Sequence, residues 1–460
     1  MRVTILLGLL GISTVYGQIQ DPFEPLWPPG PGQPVVPQEP SAELTSMLSQ
    51  IDPKRIEAII TKLVSFGTRH TLSSQTDPNR GVGAARDWIA SQMQTFAATS
   101  GGQMTVSTPS YIQPIADRVP FPVRITNVVA TLKGSTDPNR VYVVSGHYDS
   151  RNTDPNNFSD DAPGADDDAS GVAVSLELAR VMARHKPAAT IMFVAVAGEE
   201  QGLFGSNFMA ETMKNASVDV QGMLDNDIVG SSTGDDGTKN PTLLRMFCSG
   251  IPQTETFQQV TARANIGGEN DSPARELGRF IAEVAQNNAT GMRVQTIWRP
   301  DRFLRGGDHL SFLRNGYPAV RFTEPAENFA HQHQDVRVQN GVQFGDLIEF
   351  VDFDFTAGVA RVNGAGLWSL ANAPRTPRGV VIDTRQLDNN STLRWTNDPQ
   401  AASYEVVWRP TDQTFWTHAI PVGKVTSVTL KLSKDNVDFG VRAVGQNGMK
   451  SPAAFPAPSG

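Results

Sequence analysis

The residues of this chain that could do chemistry are acids and histidines gathered in five short stretches. These are Gly146-His147-Tyr148-Asp149, Gly164-Ala165-Asp166-Asp167-Asp168-Ala169-Ser170-Gly171, Ala197-Gly198-Glu199-Glu200-Gln201-Gly202, Asp225-Asn226-Asp227-Ile228-Val229-Gly230, and a loop from Asn328 to Asp335 that holds His331 and His333. Residues two apart on an extended chain face the same side. Asp149 can therefore accept a hydrogen bond from the ring nitrogen that His147 does not offer to a metal, as carboxylates behind metal-bound histidines do. Three adjacent carboxylates, Asp166 to Asp168, repel one another and either stay hydrated or bind cations. A calcium loop of the EF-hand kind does not fit, because the later bidentate Glu is missing. Two adjacent glutamates on a bend point apart, so one of Glu199 and Glu200 can hold a metal while the other stays free as a base. The single cysteine, Cys248, rules out an intrachain disulfide or a thiolate-cluster site. Any metal must sit on His, Asp and Glu.

Only seven histidines are available. His185 closes a predicted helix, where a cation is favoured, His418 belongs to the C-terminal segment, and His70 reads as a structural contact. The elements that position the remainder alternate. Val128–Leu132, Val141–Val144, Thr190–Val196 and Gly222–Val229 read as strands, while Lys54–Phe66, Val82–Phe96, Gly171–Arg184, Leu203–Met213 and Ser272–Gln286 read as helices. That pattern predicts an α/β domain with a mostly parallel, mixed central sheet flanked by helices, and sites in such sheets lie at the carboxyl ends of strands. The acidic stretches follow directly on three of those ends.

HYD, GADDDASG, GEEQGLFGS, DIVG and HxxxD, in this order, resemble the secreted two-zinc (co-catalytic) aminopeptidase family, of the aminopeptidase Y and bacterial leucyl aminopeptidase type, over roughly residues 41 to 371. The resemblance implies a zinc exopeptidase fold with two Zn²⁺ per chain. His147 and Asp227 would bind one ion, Glu200 and His331 the other, Asp167 would bridge both, and Glu199 would be the general base on the bridging water. Family spacing, with the histidine four residues before Asp335, selects His331, with His333 as the alternative. A cis peptide bond is implied between Asp167 and Asp168. Asp149, Asp168, Asp308 and His309 would play supporting parts. One departure concerns the oxyanion: some members carry a Tyr before the last histidine ligand, where this chain has Ala330. His309, Tyr317, Arg302 and Arg305 are the candidate donors in its place. The activity implied is hydrolysis of the N-terminal peptide bond of peptides. The alternatives are a carboxypeptidase of the same metal geometry, with Arg299, Arg302 or Arg305 gripping a substrate carboxylate, a glutaminyl cyclase-like enzyme, or a non-catalytic binding protein.

Length, charge and composition frame this reading. At 460 residues the chain exceeds a single core. A net charge of −8 argues against a nucleic-acid surface. Residues 1–17, a basic start followed by a short apolar run and small residues, read as a signal peptide, and no later segment is apolar enough to span a membrane. The mature chain is expected to be secreted or periplasmic. Residues 18–40 are proline-rich and read as a linker, residues 41–372 as the peptidase domain, and residues 375–460 as a small all-β sandwich. In that last segment Leu393-Arg394-Trp395, Tyr404–Arg409 and Phe439–Val444 resemble strands of a fibronectin type III module. Its tryptophans Trp395, Trp408 and Trp416 are expected in the core.

Overall fold

Runs of β-branched residues alternating with amphipathic helices dictate a sheet covered on both faces. The computed structural model describes residues 30–459, so the expected signal peptide lies outside the described residues. Eight strands make the central sheet, numbered in chain order: β1 Met104–Ser107, β2 Val128–Leu132, β3 Asp137–His147, β4 Ala189–Val196, β5 Asp219–Asn226, β6 Leu243–Cys248, β7 Arg293–Ile297 and β8 Ala319–Thr323. Their spatial order is β7-β6-β8-β5-β3-β4-β2-β1. Neighbours pair in parallel at β7/β6, β8/β5, β5/β3 and β3/β4, and antiparallel elsewhere. This is the expected mixed sheet. Because β4, β3 and β5 lie side by side and run the same way, their carboxyl ends open on one edge.

Alternation along β3 shows how the layers form. Tyr142 and Val144 pack with Ile191 and Phe193 of β4 and Leu224 of β5 against the helices Pro53–Val64, Val82–Ala98, Ala169–Met182, Pro273–Ala285 and Phe353–Asn372. Val141 and Val143 face the other way, toward Phe204–Asn215 and His309–Arg314. Ala169–Met182 is buried along its length, as a helix apolar on every side must be. Glycine lets it approach the sheet: a Cβ on Gly146, at the end of β3, would run into the backbone of Gly171.

Strands β6, β7 and β8 escape the sequence reading because charged residues interrupt their apolar pattern: Arg245, Arg293 and Arg321. Arg321 is fully buried in β8 because it meets two carboxylates there. The predicted strand Gly222–Val229 stops at Asn226, and Ile228 turns away with φ of 60°.

Beyond Ala373 the chain forms two four-stranded sheets packed face to face. One holds His418–Gly423, Ser403–Pro410 and Val437–Val444; the other holds Ser427–Leu430, Ser391–Arg394, Val381–Asp383 and Ala457–Ser459. Trp395 and Trp408 belong to their shared core. The fourth strand of the first sheet is Gln33–Pro34, which pairs antiparallel with His418 and Ala419. Part of the expected linker is thus an edge strand, a place that tolerates proline because the missing N–H faces away from the ladder. Trp408 Nε1 secures it by donating to the Pro31 carbonyl at 2.7 Å.

The sandwich is joined to the helix Pro273–Ala285 by buried charge. Arg409 Nη2 contacts both oxygens of Asp271 at 2.9 and 2.8 Å, and Arg279 Nη1 reaches Asp271 at 3.0 Å and also pairs with Glu276. Trp416 lies at this junction, its Nε1 donating to Glu276 at 2.9 Å, with both guanidinium groups over its ring. Burial lifts the Glu276 carboxyl to about 7, against the pull of Arg279. Removing one member of a buried charge network leaves the others unpaired at a cost of about 3–5 kcal/mol. Asp271→Ala should therefore lower the urea midpoint by that equivalent, followed by tryptophan fluorescence, whereas a change under 1 kcal/mol would show that the network contributes little.

Candidate metal centre

Three strand ends and one distant loop deliver the site. His147 is the last residue of β3. Glu199 and Glu200 follow β4 after Gly198, whose φ of 74° makes the sharp turn. Asp227 follows β5, and Asp167 precedes the helix Ala169–Met182. All of these but Glu199 converge with His333 in two groups that could each hold a metal ion: His147, Asp167 and Asp227, and Asp167, Glu200 and His333. Asp167 belongs to both. The peptide bond between Asp167 and Asp168 is cis, as the family resemblance implied.

The contacts within each group favour a cation. His147 Nδ1 lies 3.1 Å from the carbonyl oxygen of Asp149. A carbonyl can only accept, so Nδ1 carries a hydrogen, and Nε2 on the other side of the ring faces Asp167 at 3.1 Å and Asp227 at 4.0 Å. Positive charge, on the ring or on a bound cation, is what lets two carboxylates converge there. In the second group His333 Nε2 stands 2.8 Å from Asp167 and 2.9 Å from Glu200. Yet neither His333 Nε2 nor Glu200 Oε1 has a hydrogen-bond partner of acceptable geometry among the described residues. These atoms converge on a common point instead of pairing with one another.

Charge tells the same story. Against burial, the positive charge of His333 and His147 holds Asp167 well below the usual carboxylate range. Burial pushes Asp227 up to about 6 despite Arg321, and pushes Glu199 well above its ordinary value, with Asp227 and Glu200 adding repulsion. The chain supplies fewer cations than carboxylates at this edge. Cations from outside would relieve the imbalance.

A second layer fixes the geometry. The side chain of Asp149 accepts from the backbone N–H of Glu199 at 3.2 Å and of Glu200 at 3.1 Å, and from Thr71 at 2.9 Å. The sequence reading gave the His147 contact to this carboxylate; instead the Asp149 backbone carbonyl takes it, while Oδ1 stays 3.6 Å away. Asp168 points inward, accepting from His147 N at 2.9 Å, Gly171 N at 3.0 Å and Ile228 N at 3.3 Å. It caps the helix and ties it to the ends of β3 and β5.

His331 is corrected. Its ring stacks on Phe350 with centroids 3.6 Å apart and does not join the cluster. His333, at φ of 53°, turns its ring inward instead. Asp335, the spacing reference for that choice, exchanges hydrogen bonds with Thr153 and anchors the loop. Asp308 and His309 are buried behind the site; the His309 ring spans from Asp225 to the Pro300 carbonyl. Tyr317 donates to Val218 O, so neither it nor His309 faces the cavity over the cluster. Arg302 and Arg305 do line that cavity, but both are paired with Glu327, at 3.1 and 2.6 Å. His70 is a buried contact to the Pro155 carbonyl, as expected.

Four supporting residues carry no sequence motif. Asp346 accepts from the backbone N–H of Asp166 and Asp167 at 2.8 and 2.7 Å. Arg321 reaches Asp227 at 2.8 Å. Arg151 binds Glu200 at 2.9 Å and lies 2.6 Å from His333 Nδ1. Buried Arg69 donates to the carbonyls of Tyr148 and Gly164 at 2.7 and 2.8 Å, clasping two of the acidic loops. Each is isolated in sequence from the residue it serves, so only its pairing in space reveals it.

Comparison with known proteins agrees with this chemistry. Residues 127–340 match Peptidase family M28. A protein of Pyrenophora teres f. teres (strain 0-1) named "Probable zinc metalloprotease" is 61% identical over 438 residues, covering 94% of this chain and 91% of its own. One of the same name from Pyricularia oryzae is 60% identical over 443 residues, with coverage of 94% and 88%. Among solved structures, the LapA aminopeptidase of Legionella pneumophila shares the fold at a TM-score of 0.52 and 18% identity, over 74% of this chain and 78% of that one. With relatives this close over nearly its whole length, and with donor groups fitted to metal, the chain belongs to peptidase family M28, as a zinc metalloprotease.

Proposed function

We propose that this zinc metalloprotease is an exported, di-zinc exopeptidase that hydrolyses the N-terminal peptide bond of peptides. The observation that carries the reading is the placement of Asp167 between two donor groups, His147 with Asp227 and Glu200 with His333. Those four residues would hold the two ions in pairs, and Asp167 would bridge them. When bound, paired zinc ions supply a water that ionises near neutral pH and positive charge for the oxyanion of amide hydrolysis. Glu199 lines the cavity beside these residues. It takes the proton of the attacking water and delivers it to the leaving amine. Asp149 is a positioning residue, holding Glu199 and Glu200 by their backbone N–H groups. With His333 in the cluster, the residue just before it is Gln332, whose Nε2 lies 3.3 Å from Asp167 Oδ2 in the cavity. It offers the N–H donor for the oxyanion that Ala330 cannot. Likeness to the LapA aminopeptidase favours action at the amino end. The basic, then apolar, then small-residue pattern of residues 1–17 favours export. The C-terminal sandwich we read as a fibronectin type III-like module.

Five measurements test these roles. Glu199→Gln should lower kcat by roughly 10²–10⁴-fold, the range for a lost general base, while bound zinc stays unchanged; wild-type turnover would remove Glu199 from its role. Metal analysis should find about two zinc ions per chain, falling to about one in His333→Ala and unchanged in His331→Ala. The opposite result would restore the spacing-based choice of His331. Chelation should abolish activity and Zn²⁺ or Co²⁺ restore it, and Gln332→Ala should cost roughly 10²–10³-fold in kcat, as for a lost oxyanion donor. Cleavage of amino-acid p-nitroanilides but not N-blocked peptides separates this reading from the carboxypeptidase one.

A further inference from the structure

The acidic floor of the site is faced by a wall of opposite sign. The cavity above it, about 500 Å³, is lined by Arg118, Arg151, Arg302, Arg305 and Arg314 and by no lysine, in a chain whose net charge is −8. Three of the five are committed: Arg151 to Glu200, Arg302 to Asp301 and Glu327, and Arg305 to Glu327. Arg118 and Arg314 differ. Both are exposed, and neither forms an ion pair among the described residues. Arg118 donates from Nη1 to the Glu200 carbonyl at 3.1 Å, which fixes its guanidinium beside the turn carrying Glu199. Arg314 closes the short helix His309–Arg314 on another wall of the same cavity.

On the exopeptidase reading above, on which this inference rests, zinc offsets the carboxylates of the floor. The arginines are then the excess charge that a substrate meets. A concave, low-dielectric site concentrates such a field. An uncommitted guanidinium is matched best by a planar carboxylate, which it can bind through two parallel N–H groups. A single solvated arginine would mean little. Five around one cavity, two of them without an acidic partner, form a receptor for negative charge.

We propose that this enzyme selects substrates bearing a carboxylate, seated against Arg118 and Arg314 while the scissile bond lies over Glu199. The carboxylate can be the C-terminus of a short peptide or an acidic side chain.

The test uses the zinc-loaded full chain and four peptides: Leu-Ala-Ala, its C-terminal amide, Leu-Glu-Ala amide and Glu-Ala-Ala amide. Release of the first residue is followed, and zinc is measured in every variant. At least one carboxylate-bearing peptide should exceed Leu-Ala-Ala amide by roughly ten-fold in kcat/KM, the scale of one charge-assisted hydrogen bond. The gain should lie mainly in KM and shrink as salt is raised. The favoured peptide identifies the source of the carboxylate. Arg314→Gln and Arg118→Gln should each bring the ratio toward one, and Arg314→Lys should keep most of it. Equal efficiency for all four peptides, or a preference that survives both glutamine variants, overturns the proposal and leaves the exopeptidase reading standing. No cleavage of any peptide by protein that carries zinc overturns that reading and this proposal with it.

Discussion

Buried carboxylates crowd the edge where β3, β4 and β5 end, and the fold is arranged around satisfying them and holding them close. Water cannot do this, because His147, Asp149, Asp168 and Asp227 are almost wholly buried, and isolated buried charge is costly. The chain meets the demand in two ways. Backbone N–H groups are aimed at the carboxylates that do not face the cavity: Asp149, Asp168 and Asp346 together take seven of them. Guanidinium groups serve those that do, Arg321 at Asp227 and Arg151 at Glu200. What remains uncompensated is the convergence at Asp167, and that remainder is what fits the edge to hold metal ions.

This division explains why so much of the molecule is committed to so few atoms. Asp346 comes from the loop following a hairpin about 180 residues beyond the residues it holds, and Arg321 comes from a strand across β5. Asn226 exchanges hydrogen bonds with Asn363 on the helix Phe353–Asn372, so even the far helical layer pins the end of β5. A site held from many directions has little freedom to relax, which is the preorganisation that hydrolysis of an amide requires. The same economy of charge recurs at the junction with the sandwich, where Asp271, Glu276, Arg279 and Arg409 satisfy one another out of water. There, however, acids and bases balance, and no cation is called for.

The stretches HYD, GADDDASG, GEEQGLFGS and DIVG are legible in the sequence because each is local: a strand ends, a turn follows, and the polar residues of that turn lie at the sheet edge. The central strands β2 to β5 and the helices between them are legible for the same reason, since period and composition are properties of a single segment. The loop from Asn328 to Asp335 is different. No strand sets its direction, so spacing alone could not decide which ring turns inward. Phe350 captures His331 by stacking, and the left-handed backbone at His333 delivers the other ring to Asp167 and Glu200.

By itself, then, the sequence determined the α/β layering, the supply of acids and histidines at strand ends, and the exclusion of an intrachain disulfide or thiolate-cluster site by a lone cysteine. These follow from local periodicity and residue type. Tertiary structure alone decided which histidine completes the cluster, that Gln332 faces the cavity, that Asp346, Arg321 and Arg151 secure its carboxylates, and that a stretch of the proline-rich segment is an edge strand. Each of those outcomes depends on a partner far away in the chain, whose position exists only once the sheet has formed and the loops have closed over its edge.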